Sequence, residues 1–555
     1  MPTRTSQMSG GFRADGGDDV WGLGAGTFPA TTDDIIIAAG HNITLKEDNE
    51  VAYFQQQGGS GTESTLTLAS HTLTINSRPS NSKVILIDNE HCNIADNTGT
   101  IKLTGSADAS HKLVGLQHWA DELQNLTIHT SGSNPTYRQE SALTVNGNLT
   151  ITAGALTTNT SDHALTVDGA TDVAGTLTLN GSTCSFGDGG YTGHYGLRAT
   201  GSSGVITADA DSTVAMSSLY AADAAGINIA LSGTNTINKY RASNNMMIRL
   251  TNNTVDSDMT LTVTTTEADK LMQVADANVT LILNASSGTP ARKIADSAMT
   301  LKSLIITNGT LDTDSSNNYA LTVDVDETDI QAAGTLTGNA SAISLKALTI
   351  RDGGTYNGTS GTTTITGEQG GYAWKNDETD GTGYVHNKGL VKIAPSTDIE
   401  DTLVKEDTFY DIEYDMDGST DKIGFDPPSG TITILNNVTG TTGKFCVADA
   451  GDHITVHGIV HITSNSWFGG EDGGANQTGN CTLNHVLLDG GFFVGTNADT
   501  LTVQSFRRIS GTIYENGATL NIVGTGGVLE GDLDDFPVNV NLDAALDFNG
   551  DGGTD

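Results

Sequence analysis

The sequence predicts an all-β protein, a right-handed parallel β-helix or β-solenoid with a capping N-terminal segment and an aromatic-bearing insertion. The first observation is an apolar-Thr-apolar triplet that is followed by a Gly or Asn turn and recurs with no helical pattern between copies. Such alternation places one face of a short strand in a core and the other in water. Seven copies share this pattern: Leu126–Ile128, Leu143–Val145, Leu149–Ile151, Leu165–Val167, Leu177–Leu179, Leu321–Val323 and Leu348–Ile350.

The second observation is that this phrase repeats over a longer distance. Leu149 is followed by Leu165 at an offset of 16, and Leu304 by Leu321 at an offset of 17. We interpret each repeat as one coil, which cannot bury its apolar face alone and must stack on its neighbours. A sandwich of hairpins also produces closely spaced strands and is the alternative.

The charge of the chain limits what it can bind. Its 555 residues include 66 acidic and 26 basic side chains, which gives a net charge of −40 at pH 7. Such a surface repels phosphates and anionic lipids, so we expect no nucleic-acid partner and no membrane insertion. Disorder is disfavoured because the apolar residues follow strand periodicity.

The compartment is predicted from signals that the sequence lacks. The N-terminus has no cationic region followed by an apolar one, as a secretory signal would, and no run approaches the roughly 18 apolar residues that cross a bilayer. We therefore expect a protein that is made and folded in a cytoplasm. The four cysteines are widely separated, which favours buried thiols over a disulfide framework or a metal site.

Changes in composition divide the sequence into six stretches. Residues 1–20 are polar and Gly-rich, which predicts an arm that is flexible alone or docked on a partner. The other stretches are predicted in order as an N-terminal cap with the first coils (21–128), a regular solenoid (129–367), an aromatic and charged insertion or boundary module (368–426), a second solenoid stretch (427–531) and an acidic tail (532–555).

The N-terminal region resembles the opening of parallel β-helix proteins among phage virion structural proteins and bacterial surface proteins. The residues that carry the resemblance are Trp21, Phe28-Pro29, the strand Asp33-Asp34-Ile35-Ile36-Ile37 and the strand Gly40-His41-Asn42-Ile43-Thr44-Leu45. The later phrase Leu-Thr-Ile, Asn-Gly-Thr-Leu, Ala-Leu-Thr-Val is similar to the repeats that follow in such proteins. The resemblance implies a fold and a virion or extracellular setting, and it transfers no catalytic residue.

Aromatic residues are concentrated between positions 372 and 414, with further ones at 467 and 468. Exposed rings provide large rigid contact areas, which suits a receptor or host-surface glycan contact. The alternative is that these rings pack a capping insertion against the solenoid. The candidate ligand-binding residues are Tyr372, Trp374, Tyr384, Tyr410 and Trp467.

Calcium is the one cofactor that the sequence suggests. Asp547, Asn549 and Asp551 precede Gly552 with the spacing of the first half of a Ca²⁺ loop. The bidentate Glu of a complete loop has no counterpart here, so a weak or shared site competes with a solvated acidic tail. The histidines at 453, 457 and 461 would lie too far apart on one extended strand to share a metal.

Catalysis is not expected. Polysaccharide hydrolysis needs two carboxyl groups about 5–10 Å apart with different protonation states. Asp324 with Asp326, and Asp411 with Glu413, share a strand face, but such pairs arise by chance among 66 acidic residues. We therefore predict that the protein is not an enzyme.

The sequence thus predicts a structural component of a phage virion, such as a tail fibre, head fibre or decoration protein, that acts as a rigid spacer with a host-surface binding role. It would contact other virion proteins through its N-terminal arm, self-associate as a trimer, and reside in the extracellular particle after assembly in the host cytoplasm. The first alternative is a bacterial cell-surface adhesin or surface-layer protein exported without a cleaved signal. The second is a tailspike-like polysaccharide depolymerase.

Overall fold

A computed structural model of the chain describes residues 2–12, 19–24, 27–59, 62–76, 83–87, 92–96, 98–105, 111–114, 123–130, 136–139, 141–158, 161–187, 195–201, 203–221, 228–238, 246–250, 258–264, 270–285, 291–294, 297–378, 383–395, 401–449, 452–469, 480–494, 500–514, 519–523, 528–530 and 540–542. All regular secondary structure in these residues is β-strand, and the parallel strands stack as a β-solenoid of about 16 turns. The predicted fold class is therefore confirmed. No helix in this part of the chain is long and apolar enough to cross a membrane.

The first thirty strands are β1 (Thr3–Thr5), β2 (Gly10–Gly11), β3 (Asp34–Ile37), β4 (Asn42–Thr44), β5 (Asn49–Val51), β6 (Tyr53–Gln56), β7 (Ser64–Ala69), β8 (Thr72–Ile75), β9 (Lys83–Ile87), β10 (Cys92–Asp96), β11 (Thr100–Leu103), β12 (His111–Val114), β13 (Asn125–His129), β14 (Thr136–Gln139), β15 (Leu143–Val145), β16 (Leu149–Ala153), β17 (Ala155–Thr157), β18 (Leu165–Val167), β19 (Thr171–Val173), β20 (Thr176–Thr178), β21 (Thr183–Phe186), β22 (Leu197–Ala199), β23 (Val205–Ala208), β24 (Thr213–Met216), β25 (Leu219–Ala221), β26 (Asn228–Leu231), β27 (Thr234–Ile237), β28 (Met246–Leu250), β29 (Met259–Val263) and β30 (Lys270–Val274).

The remaining strands are β31 (Val279–Asn284), β32 (Ala291–Ile294), β33 (Met299–Leu301), β34 (Ser303–Asp312), β35 (Leu321–Val323), β36 (Thr328–Thr337), β37 (Ile343–Leu345), β38 (Leu348–Ile350), β39 (Thr355–Asn357), β40 (Thr362–Ile365), β41 (Tyr372–Asn376), β42 (Tyr384–Val385), β43 (Leu390–Ile393), β44 (Asp401–Lys405), β45 (Thr408–Phe409), β46 (Asp411–Asp415), β47 (Lys422–Phe425), β48 (Thr431–Ile434), β49 (Val438–Val447), β50 (His453–Phe468), β51 (Cys481–Val494), β52 (Thr500–Tyr514), β53 (Thr519–Ile522), β54 (Val528–Glu530) and β55 (Val540–Leu542).

The chain divides into two compact units, Met1–Thr280 and Leu281–Asp555. In the first unit a coil contains three short strands, and each strand pairs in parallel with its counterpart in the next coil. For example, β15, β16 and β17 pair with β18, β19 and β20. Leu165 and Val167 point inward and are fully buried, whereas Thr166 between them is half-buried on the outer face. The alternation predicted from the triplets is confirmed.

The coil is longer than the repeat distance found in the sequence. Leu143 pairs with Leu165 and Leu149 with Thr171, which corresponds to an offset of 22, the same as that between the hydrogen-bonded Asn148 and Ala170. Leu149 and Leu165 lie on different faces of the solenoid. The offset of 16 between them arises because each coil contains the triplet more than once. Leu143 and Leu149 belong to one coil, and Leu165 begins the next.

Asparagine and glycine join successive turns of the solenoid. The Oδ1 atom of Asn125 accepts the N–H of Asn148, whose own Oδ1 accepts the N–H of Ala170, each at 2.9 Å. A Cβ atom on Gly169 would lie 2.3 Å from the carbonyl oxygen of Gly147 in the turn below. Glycine is therefore required here by the close approach of stacked turns.

Residues 2–12 of the predicted arm (residues 1–20) belong to the first coil, and docking of the arm on a partner stays a prediction. Among residues 2–12, β1 pairs in parallel with β3, and β2 pairs with β4. Arg4 forms an ion pair with Asp33 at 3.1 Å. The indole N–H of Trp21 donates to the carbonyl of Phe12 at 2.8 Å, and both rings are buried. The backbone N–H and C=O groups of β1 and β2 therefore find partners in the neighbouring strands, and this pairing holds the N-terminus on the first coil.

In the second unit the parallel stacks continue through residues 368–426, which the sequence marks as an insertion or boundary module. β41 and β43 pair with β38 and β40 of the preceding coil, and β46 and β47 pair with β49 of the next one. The described part of this stretch therefore adds coils to the solenoid, and these coils carry the aromatic residues.

Candidate functional site

Two of the five predicted ligand-binding residues, Trp374 and Tyr384, lie in the core of the second unit. Trp374 is fully buried and Tyr384 is 8% exposed. The Trp374 ring centroid lies 4.7 Å from that of Tyr384 and 5.5 Å from that of Phe409. These rings occupy inward-facing strand positions and fill the interior of the coils. Both rings are therefore packed in the core, as the packing alternative describes, and their role in ligand binding stays a prediction.

Tyr372 and Tyr410 are partly exposed on the same unit. The ammonium nitrogen of Lys375 lies 5.7 Å from the centroid of the Tyr372 ring. The ring of Tyr410 stacks on His386 with centroids 5.6 Å apart and planes inclined by 20°. A ligand can reach both tyrosines from solvent, and their binding role stays a prediction.

Trp467 is part of a row of three partly exposed aromatic side chains, which we call the aromatic stripe: Trp467, Phe492 and Tyr514. The Trp467 ring centroid lies 4.2 Å from that of Phe492 and 5.4 Å from that of Tyr514, with nearly parallel planes. Lys444 Nζ lies 5.5 Å from the Trp467 ring. Because the rings cover one another's faces, they offer a ligand mainly their edges.

A second surface on the same coils is a groove that encloses about 340 Å³. We call it the polar groove. Its lining consists of three positions on each of β50 and β51, two on β52 and one that follows β53. The lining residues are Thr455, Val456, His457, Thr482, Leu483, Asn484, Thr502, Gln504 and Val523.

Strand register builds the polar groove. Thr455 pairs with Thr482, and Thr482 pairs with Thr502, so three hydroxyl groups lie on consecutive rungs. The same row continues below the groove through Thr433 and Thr408. We call these five residues the threonine ladder. Stacked β-branched side chains stabilise neighbouring strands, so the ladder supports the sheet as well as lining the groove.

One side of the polar groove is held by a side-chain to backbone hydrogen bond. The Nδ2 atom of Asn484 donates to the carbonyl oxygen of His457 at 2.8 Å. The imidazole of His457 is exposed, and Thr482 is the exposed member of the ladder, whereas Thr455 and Thr502 are half-buried. The arrangement offers hydroxyl, amide and imidazole groups to a ligand above a floor that includes aliphatic side chains.

Three carboxylates that sequence reasoning missed come together at successive turns. Oxygen atoms of Asp426, Asp449 and Asp452 all lie within 4.8 Å of one another. Burial, followed by repulsion from the Asp449 and Asp426 carboxylates, raises the pKa of Asp452. Carboxylate oxygens at this spacing are chemically suited to share one hard cation. Asp426 and Asp449 are one coil apart, so the correct coil length would have indicated their proximity.

The residues predicted to bind calcium, Asp547, Asn549 and Asp551, lie outside the described residues. Their role stays a prediction. The thiol of Cys184 is buried as expected, and burial raises its pKa to about 12.

The Glu406 carboxyl group is buried in the second unit and is 4% exposed. Its Oε2 accepts the Nδ2 of Asn376, and its Oε1 accepts the backbone N–H of Asp407, both at 2.9 Å. Burial raises the pKa of Glu406 to about 7. Because this carboxyl group is buried, it does not reach a ligand at the surface. Its protonation affects the stability of the fold instead.

Three of the four carboxylates considered for hydrolysis make structural contacts. Asp411 accepts hydrogen bonds from the Asn436 side chain at 2.9 Å and from the Asn437 backbone at 2.8 Å. Glu413 pairs with Lys392 at 2.7 Å. Asp326 lies 3.8 Å from Lys302. These contacts give the three carboxylates roles in joining adjacent coils.

No protein-family model matches the chain, and no curated protein or solved structure matches it.

Proposed function

We propose that the chain is a structural and surface-binding component of a phage virion, such as a tail fibre, head fibre or decoration protein. The proposal is supported by the N-terminal motif, which resembles the opening of virion β-helix proteins. Asp34 and Ile35 of that motif pair with Thr3 and Arg4 in the first coil. We accordingly propose that the end of the solenoid formed by this coil contacts other virion proteins.

The observation that carries the proposal is the regular parallel pairing of successive coils within each unit. In the second unit β37, β40, β43 and β46 pair one after another. Because backbone hydrogen bonds and an apolar interior fix every coil, outward positions are available to form a binding surface. Such a scaffold suits a rigid spacer that presents a contact surface to a host glycan.

The proposed contact surface lies on the outer side of the second unit. Tyr372, Tyr410 and the aromatic stripe are partly exposed there, and aromatic side chains dominate many binding surfaces. We propose a binding role without catalysis, because Asp411 and Glu413 are held in structural contacts. Self-association as a trimer would bury lateral faces symmetrically.

Purified particles provide the test. Mass spectrometry and immunogold labelling of particles from a lysed host should find the chain as a stoichiometric component, and sedimentation of the purified protein should give the mass of a trimer. Recovery from the surface of uninfected bacteria would favour the adhesin alternative. Release of reducing ends from capsular or lipopolysaccharide would contradict a binding-only role.

A further inference from the structure

We propose that the polar groove binds an extended, neutral oligosaccharide chain that lies along the threonine ladder and contacts one rung after another. The inference rests on the proposed glycan-binding function and deepens it, because it assigns a site and a class of ligand. It places the contact at residues that the sequence did not identify.

The lining of the polar groove consists of hydroxyl, amide, aliphatic and imidazole side chains. None of its nine residues is Asp, Glu, Lys or Arg, although the chain carries 66 acidic side chains and a net charge of −40. An acidic sugar would find no cationic partner in this lining and would be repelled by the surrounding protein. A neutral ligand avoids both costs.

The groups in the groove match the surface of a sugar. Thr455, Thr482 and Thr502 contribute hydroxyl groups that both donate and accept, and Asn484 and Gln504 contribute amides. Threonine methyl groups and the partly exposed Val523 side chain can contact the C–H groups of a pyranose ring. A volume of about 340 Å³ lies within the range of small-ligand sites.

The register of the strands indicates a chain of sugars. Consecutive rungs are about 4.8 Å apart, so the three threonines span about 10 Å along the stack. A single sugar would contact one or two rungs, whereas an oligosaccharide that runs along the groove meets an equivalent hydroxyl at each rung. Repetition of the same contact favours longer ligands.

The strand arrangement disfavours a peptide in the groove. Peptides commonly add to a sheet through an exposed edge strand. β51 is paired on both sides, with β50 and β52, so its backbone donors and acceptors are already used. The groove therefore presents side chains, and these suit a ligand that is rich in hydroxyl groups.

The test uses the full chain and an array of neutral and acidic oligosaccharides six units long, followed by calorimetric titration with the neutral hexasaccharide that gives the strongest signal. The wild type should bind a neutral hexasaccharide, with weaker binding of the corresponding disaccharide. Thr482→Lys should weaken binding by at least about tenfold, since the new side chain occupies the groove. Gln504→Ala should weaken it by about fivefold, the equivalent of one hydrogen bond.

The matched control is Thr213→Lys. Thr213 is an exposed threonine that pairs with Thr183 and Thr234 on neighbouring rungs of the first unit. Thr213→Lys therefore reproduces the change in charge and the disruption of a threonine row at a position outside the groove. It should leave the affinity for the hexasaccharide unchanged. Equal thermal midpoints of the three variants and the wild type should show that folding is intact.

The outcomes separate this inference from the proposed function. If a glycan binds and Thr482→Lys leaves its affinity unchanged while Trp467→Ala reduces it, the groove assignment is wrong and glycan binding stands. If only acidic glycans bind, the ligand class is wrong. If no glycan on the array binds, both the groove assignment and the surface-binding part of the proposed function are overturned.

Discussion

Glu406 gives the stability of the second unit a defined dependence on pH. Burial raises the pKa of this carboxyl group from 4.5 to about 7. Each pKa unit corresponds to about 1.4 kcal/mol, so the shift amounts to about 3 kcal/mol. The folded state binds the proton more tightly than the unfolded state does. The stabilising contribution is therefore complete below pH 4.5 and is lost as the pH rises through 7.

The perturbation is Glu406→Gln, which removes the titration. Its amide has one carbonyl oxygen, so it can accept only one of the two hydrogen bonds that Asn376 and Asp407 donate to Glu406. The lost hydrogen bond costs about 1–3 kcal/mol at every pH. The informative quantity is therefore the difference in unfolding free energy between wild type and variant as a function of pH. Between pH 5 and pH 8 that difference should move by about 2.5 kcal/mol in favour of the variant.

Urea denaturation followed by tryptophan fluorescence at several pH values measures this difference. Glu63→Gln, at an exposed position of the first unit, is the matched control and should run parallel to the wild type. Parallel curves for wild type and Glu406→Gln between pH 5 and pH 8 would refute the argument that burial holds this carboxyl group in its protonated form.

Three further results are expected from thermal or urea denaturation. Gly334→Ala should destabilise the protein by about 3 kcal/mol, because the new Cβ would lie 2.0 Å from the carbonyl oxygen of Ile306. Gly367→Ala should change stability by less than about 0.5 kcal/mol, because its nearest neighbour is the flexible Lys346 side chain at 3.1 Å. Similar losses for the two variants would contradict the stacking of turns. Trp374→Ala should lower the free energy of unfolding by about 3–5 kcal/mol, and Trp467→Ala, at a partly exposed position, should lower it clearly less. The reverse order would contradict the burial of Trp374. Asp452→Asn should raise stability at pH 7, because burial and two neighbouring carboxylates raise the pKa of Asp452. The gain should shrink as the pH falls. If a chelator lowers the stability of the wild type, a bound cation holds these carboxylates together, and the repulsion is contradicted.

Local alternation was sufficient to predict the strands and the fold class. Leu165 and Val167 point inward and Thr166 outward because a β-strand alternates its faces, whatever the coil to which it belongs. The length of a coil was not readable from the same triplets. A coil that repeats the triplet on different faces has shorter internal spacings, such as that from Leu143 to Leu149, and these mask the true offset of 22 between stacked positions.

The polar groove was not predictable for a related reason. The stretch of sequence from Thr455 to Thr482 is longer than that from Thr482 to Thr502, although both pairs occupy adjacent rungs. The different lengths of sequence between these paired positions conceal the register. Burial of Trp374 was equally hidden, because composition places aromatic residues in a stretch of sequence and does not specify the side of the sheet.

The most direct test of the account measures distances along the threonine ladder. In a background with the four native cysteines replaced by alanine, spin labels are attached at Thr408 and at Thr455, Thr502 or Asn521 in turn. These positions lie two, four and five rungs from Thr408. Parallel stacking of the coils predicts label separations that increase by about 4.8 Å per rung, to about 24 Å for the last pair. Separations that do not increase in this order would contradict the parallel stacking of coils, and with it the groove.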